Sequence, residues 1–279
     1  MIIVLFHSQL GNQLFQYAFA KSAAKLLKTI YIPYLDVDST YQLHCFKTDW
    51  FTDFVYSNPW RTRQFKRFVR LLVKLAAPDL IEDKNGQVPP VLLKNNTCYE
   101  GYFQSDWYFK DNFAILKRAF TIKKKHREEF ITRYASLFQH HKVVVIHIRR
   151  ADYQYVEIEG LGGCDLTLPM EYYRSALSQL NDLHHYKLMV VGDDVDSVQE
   201  AFSGFPNISF EHNTPIIDFQ LIQHADVAII ANSTFAWWAA YLSKNDNSKI
   251  LAPYYWLGHK VNRVYPGGIT TDRFNWIYF

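Results

Sequence analysis

Short runs of β-branched and other apolar residues recur along the chain, and stretches of amphipathic helical spacing fall between them. IIVLF (2–6) leads into a helical pattern from about Asn12 to Leu27. VVVIHI (143–148), KLMVVG (187–192) and VAIIAN (227–232) share that apolar character, and helical patterns follow the last two closely. Runs this short and this apolar are buried on both faces, as parallel strands are when helices cover both sides of a sheet. The pattern therefore predicts an α/β protein. The region from about 35 to 140 is aromatic, charged and less regular; HREEFITRYASLFQHHK then reads as a helix leading into a fresh strand–helix series at FQHHKVVVIHIRR. Two domains are expected, 1–140 and 141–279, with the last segment free to pack back on the first.

Composition is compatible with this layout. The chain has 279 residues, 49% hydrophobic and 17% aromatic, enough for the core of one large domain or two of ordinary size. A net charge of +3 is too mild to imply a nucleic-acid partner. Cys45, Cys98 and Cys164 are odd in number and widely spaced, without a CxxC or Cys/His cluster. That argues against a disulfide framework or a structural zinc and fits a reducing compartment. The start, MIIVLFHSQLGNQ, has few apolar residues before His7 and no basic leader, so neither a signal peptide nor a span is expected there.

Candidate chemistry lies where strands end. In open α/β sheets ligands sit beyond the carboxyl ends of the strands. VVVIHIRRADY places His147 and Arg149 on one side of such an end, and Ile148 and Arg150 on the other. One arginine can face a ligand as a bidentate clamp for a diphosphate or carboxylate while its neighbour pairs with a structural carboxylate; the plainer reading is a pair of salt-bridged surface arginines. In IIANSTFAWWAAYLS a strand ends at Asn232, and Ser233 and Thr234 stand where a helix cap belongs, before Phe235. The N–H groups of that helix start suit a phosphate, or the hydroxyls simply cap. In HSQLGNQLFQYAFA, Gly11 marks a turn without any GxGxxG or P-loop pattern, and Asn12 and Gln13 suit sugar hydroxyls or a helix cap. Asp193 and Asp194 follow a strand and are candidates for ribose or base donors. Asp36 and Asp38 form a DxD that chance readily supplies among 27 acids. RTRQFKRFVRLLVKL (61–75) carries six bases and no acid. On a helix it sets Arg63, Lys66, Arg67, Arg70 and Lys74 on one face and Phe65, Phe68, Leu72 and Leu75 on another. That suits an anionic membrane surface or a solvated face over a core.

Taken together, GNQLFQYAFA, EGYFQSDWYF, HIRRADY, VVGDD, ADVAIIANSTFAWWAAYL and LAPYYW resemble, in order and spacing, the α-1,2-fucosyltransferases of the bacterial and animal H-antigen type, glycosyltransferase family 11. The resemblance covers almost the whole chain and is weakest between about 30 and 95. It implies a GT-B-like fold, two Rossmann-like domains whose parallel sheets face across a cleft. It also implies a GDP-fucose donor, inversion at the anomeric carbon, a terminal β-galactoside as acceptor, and no metal. Carried onto this sequence, Arg149 is the donor-diphosphate arginine and His147 its companion near the nucleotide. Asn232, Ser233, Thr234 and Phe235 line the phosphate end, Asn12 faces sugar and acceptor, and Asp193 or Asp194 holds the nucleoside. The catalytic base stays unassigned between Asp152 and Glu100.

Two departures stand out. HSQL replaces the glycine pair usual before Gly-Asn-Gln, and GDD stands where SDD or TDD is usual, which removes a hydroxyl. The rival readings are a related transferase with another nucleotide-sugar donor, a non-catalytic sugar- or nucleotide-binding module, and a metal-dependent enzyme built on Asp36 and Asp38. A bacterial cytoplasmic enzyme is expected, building a surface polysaccharide on a lipid-linked acceptor, with residues 61–75 against the inner membrane.

Overall fold

The computed structural model describes residues 1–279 apart from Asn85, Gln87, Pro89 and Pro206. The chain forms two compact units, Met1–Lys123 with Pro266–Ile269, and Lys124–Tyr265 with Thr270–Phe279. The division falls before the helix at 124–140, which the sequence pattern had left with the first domain.

In the first unit, β1 (Ile2–Phe6), β2 (Tyr31–Leu35), β3 (Asp79–Asp83) and β4 (Thr97–Gly101) form a sheet in the order β2-β1-β4-β3. All of its pairings are parallel. The helices α1 (Leu10–Leu26), α2 (Trp50–Tyr56), α3 (Pro59–Ala76) and α4 (Phe113–Ala119) accompany it. Helix α1 buries Leu14, Phe15, Tyr17, Ala18 and Phe19, so an apolar stripe faces β1 while Lys25 and Lys28 mark its far end. Sequential strands β1 and β2 pair on one side and β4 pairs on the other. The strand order therefore reverses between β1 and β4.

The second unit holds α5 (Lys124–His140), α6 (Met170–Leu177), α7 (Gln199–Phe202), α8 (Pro215–His224) and α9 (Thr234–Tyr241) around a six-stranded sheet. Its strands are β5 (Lys142–Ile148), β6 (Tyr186–Gly192), β7 (Ile208–Phe210), β8 (Val227–Ile229), β9 (Lys249–Pro253) and β10 (Asn275–Ile277). The order is β10-β9-β8-β5-β6-β7, all parallel. This is the doubly wound dinucleotide-fold order, and its switch point lies between β5 and β8.

Strand β5 is apolar throughout because both of its faces are covered. Val144, Ile146 and Ile148 join the core with Tyr172, Tyr173 and Phe202. Val145 and His147 point to the opposite face, where the His147 ring lies 5.8 Å from Phe235 of α9. The adjacent tryptophans of α9 are both fully buried; Trp237 stacks on Tyr241 at 4.5 Å, so this pair is core rather than site.

Candidate active site

The carboxyl ends of β5 and β8, on either side of the switch point, carry most of the residues singled out in the sequence. Arg149 leaves β5 on the His147 side. Its guanidinium reaches Asp152 Oδ2 at 2.8 Å and Asp193 Oδ2 at 3.1 Å, and it lies over the Tyr153 ring at 5.1 Å. Two carboxylates and a ring fix its plane while leaving N–H groups uncommitted. Arg150 donates its backbone N–H to Asp193 Oδ1 at 2.9 Å, and its side chain turns toward Tyr173 on the other face, with Nε buried and unbonded. Asp152 thus orients Arg149 and not Arg150.

His147 is buried. Burial first, and the neighbouring Arg149 charge second, hold its imidazole down at about 3. It is a neutral ring at any ordinary pH, and its Nδ1 is buried without a hydrogen-bond partner. Asp193 is engaged by both arginines. The Asp194 carboxylate, half-buried beside it, has no hydrogen bond among the described residues and is the better placed of the two for a ribose or base donor.

Beyond β8, Asn232 is fully buried and donates Nδ2 to the Leu166 carbonyl at 2.8 Å, while its Oδ1 has no partner. Tyr153 donates to the Asn232 carbonyl at 3.2 Å, and Leu166 N–H to the Tyr153 carbonyl at 2.9 Å. These three bonds tie the β5 exit to the β8–α9 turn. Ser233 starts α9 with an extended backbone, and its hydroxyl does not cap the helix. The first-turn N–H groups at Thr234 and Phe235 are thus left for something else to bond.

At the switch point of the first sheet, Asn12 donates to Ser8 Oγ at 2.9 Å and accepts from Gln104 Nε2 at 2.8 Å. Gln104 lies just beyond β4, as does Tyr102, whose ring is 4.8 Å from that of His7. Gln13 bonds the carbonyls of Ser8 and Thr40, so it locks loops rather than facing a ligand. Ser8 has φ +67°, the left-handed region that glycine enters most easily, so the serine keeps the conformation while losing the glycine. Asn12 belongs to the first unit and the arginines to the second.

Elsewhere, Asp38 is exposed and Asp36 accepts its own neighbour's N–H, Val37 N, at 2.7 Å. Among the described residues no group of three His, Cys, Asp or Glu side chains could hold a metal ion. Glu100 lies exposed on β4.

The sequence reading missed Asp218. This α8 carboxyl is 5% exposed, beside the Gly192 N–H and accepting from Asn213 Nδ2 at 3.1 Å. Burial first, and the Glu211 charge with it, push it up to about 7, against the opposing pull of Asn213 and Gly192. An acid inside the apolar run PIIDFQLIQ was the available signal. Because the folded carboxyl titrates far above its ordinary 3.8, the folded state holds an extra proton between those values. Stability from this group therefore declines as pH rises from about 4 to about 7, by on the order of 4 kcal/mol in all. Asp218→Asn should flatten that decline, measured as the thermal midpoint across the same pH range; an unchanged slope would assign the titration elsewhere.

The fold is that of GT-B-like glycosyltransferases. The NodZ α-1,6-fucosyltransferase co-crystallised with GDP superposes with a TM-score of 0.53 at 14% identity, over 87% of this chain and 92% of that one; the NodZ of a related crystal structure is from Bradyrhizobium. POFUT1 in complex with GDP superposes with a TM-score of 0.50 at 11% identity, over 90% of this chain and 97% of that one. Residues 92–279 match the family described as Glycosyl transferase family 11, and the chain belongs to it. Two Escherichia coli relatives are similar over most of their length. The O-antigen biosynthesis glycosyltransferase WbnK is 25% identical, covering 88% of this chain and 92% of its own. An alpha-1,2-colitosyltransferase is 27% identical, covering 88% and 89%.

Proposed function

We propose that this glycosyltransferase moves L-fucose from GDP-fucose to the 2-hydroxyl of a terminal β-galactoside, with inversion and without a metal, in the assembly of a surface polysaccharide such as an O-antigen. One observation carries the reading: a fixed guanidinium and an uncapped helix start flank the switch point of a dinucleotide-type sheet. The bond from the anomeric carbon to the donor phosphate breaks as that carbon bonds the acceptor oxygen. The acceptor's proton is released, and negative charge gathers on the GDP diphosphate. Arg149 and the first-turn N–H groups of α9 stabilise that charge where other transferases use Mg²⁺. Asp194 takes a ribose or base donor, and His147 with Phe235 forms the neutral wall beside the nucleotide. Asn12 is the residue of the first unit that the family resemblance assigns to sugar and acceptor.

The fucosyltransferases of similar fold with GDP bound and the 1,2-linkage in the colitosyltransferase's name support this reading. That same name favours one second reading, a donor carrying another deoxyhexose on the same nucleotide. GDP release from GDP-fucose with a β-galactoside acceptor should persist in EDTA. Loss of turnover on chelation, restored by Mg²⁺ or Mn²⁺, would replace this mechanism with a metal-dependent one. Binding of GDP without fucosyl transfer would direct the search to the other deoxyhexose.

A further inference from the structure

Helix α3 has three faces, not the two that its sequence suggested. Val69 is fully buried, and Phe65 and Leu72 pack beside it against β1 and β2. Phe68 and Leu75, which the sequence pattern grouped with them, point away and are 55% and 75% exposed. Trp60 at 68% and Leu71 at 55% continue that outward row. Next to it α2 adds Trp50, 75% exposed and stacked on Phe54 at 5.1 Å. Single exposed apolar residues need no explanation, but four large ones, Trp60, Phe68, Leu71 and Leu75, on one face of a single helix do.

The third face is cationic. A cavity of about 530 Å³ lies between α3 and the segment that follows β2. Arg63, Lys66, Arg67 and Arg70 form one wall, and the hydroxyl-bearing Ser39 and Thr40 stand among the lining residues. Lys66 donates to the Asp36 carbonyl at 2.7 Å, and Asp36 and Asp38 are the acids whose charge reaches it. Among the described residues no carboxylate pairs with Arg63, Arg67 or Arg70. Four cations thus meet two carboxylates, and three guanidiniums keep their charge unpaired beside an apolar ridge.

We propose that α2 and α3 form a membrane-docking surface for an anionic phospholipid bilayer, with a headgroup phosphate seated in the cavity and the ridge entering the headgroup–acyl boundary. A helix that carries cations along one flank and Trp, Phe and Leu along the next lies in the plane of such an interface, its arginine stems snorkelling to the phosphates. A dissolved phosphate would use the cavity but would leave the ridge in water. The inference does not depend on which sugar the enzyme transfers.

Co-sedimentation of the full chain with vesicles of equimolar phosphatidylcholine and phosphatidylglycerol, against phosphatidylcholine alone, tests it. Wild type should bind the anionic vesicles selectively. Arg63→Gln, Arg67→Gln and Arg70→Gln together should weaken partitioning by on the order of a hundredfold. Trp60→Ser, Leu71→Ser and Leu75→Ser together should also abolish retention at moderate salt. All six positions are solvent-facing, so both variants should keep the wild-type circular dichroism and thermal midpoint, and turnover on a water-soluble acceptor. Equal binding to both vesicle types, or undiminished binding by either triple variant, would overturn the proposal. So would inorganic phosphate raising the thermal midpoint of wild type but not of the Arg63→Gln, Arg67→Gln, Arg70→Gln variant, in a protein that ignores vesicles, which would make the cavity a soluble-anion site.

Discussion

Arg149→Ala should lower kcat/KM for acceptor-dependent GDP release by roughly 10² to 10³, the usual loss when one preorganised donor to a developing anion is removed. The expected loss lies at the upper end, because the truncation has a second effect. Asp152 and Asp193 both bond the guanidinium, at 2.8 and 3.1 Å, and without it they present two unneutralised carboxylates to an incoming diphosphate. Arg149→Lys restores one positive charge but cannot bond both carboxylates with a planar fork, so it should recover only part of the activity. Neutral His147 cannot compensate, since burial keeps it uncharged. Steady-state kinetics with a titration of GDP affinity separates the contributions: weaker GDP binding reports the clamp, and a fall in kcat at saturating donor reports stabilisation of the leaving charge. A folded Arg149→Ala protein with near-normal turnover would remove the arginine from the mechanism.

Much of this was legible before the fold was known, and the physical reason differs from one residue to the next. The parallel sheets announced themselves through strands such as VVVIHI, because a strand covered on both faces has no polar alternation to hide. The arginines after β5 and the serine after β8 were marked by position, since a strand's carboxyl end is where chain and ligand meet. Partners were not legible. Whether Asp152 served Arg149 or Arg150, and whether Asp193 faced a ribose or two arginines, depends on loops whose path no local pattern records. Helix α3 failed in the same way: periodicity separated cations from apolar residues, yet only packing divides Phe65 from Phe68. Asp218 was marked only by its place in an apolar run; that this α8 carboxyl meets a backbone N–H at the end of β6 depends on packing that no local pattern records.

Gly192→Ser, the change toward the SDD pattern that the family resemblance leads one to expect, should here unfold the site rather than improve it. By residue type alone the change is a hydroxyl gained. The geometry says otherwise: Gly192 has φ +144°, and a Cβ there would sit 2.1 Å from the Ile148 carbonyl oxygen and 2.9 Å from its carbon. Those are backbone atoms of the paired strand, so no side chain can swing aside. Relief requires the β5–β6 pairing to open at its last register pair, Ile148 with Gly192. That moves Asp193, and with it the two bonds that orient Arg149 and Arg150. A forced positive φ together with a backbone clash costs on the order of 3 kcal/mol or more. For a domain of this size that lowers the thermal midpoint by roughly 6–12 °C. Gly204→Ser is the matched control, because a Cβ there meets nothing within 4 Å. The expected pattern is a large drop for Gly192→Ser with loss of GDP binding, and a midpoint within error of wild type for Gly204→Ser. Equal midpoints for the two variants would mean that the β5 exit yields easily. The carboxylate-held arginine would then owe its place to something other than this strand pairing.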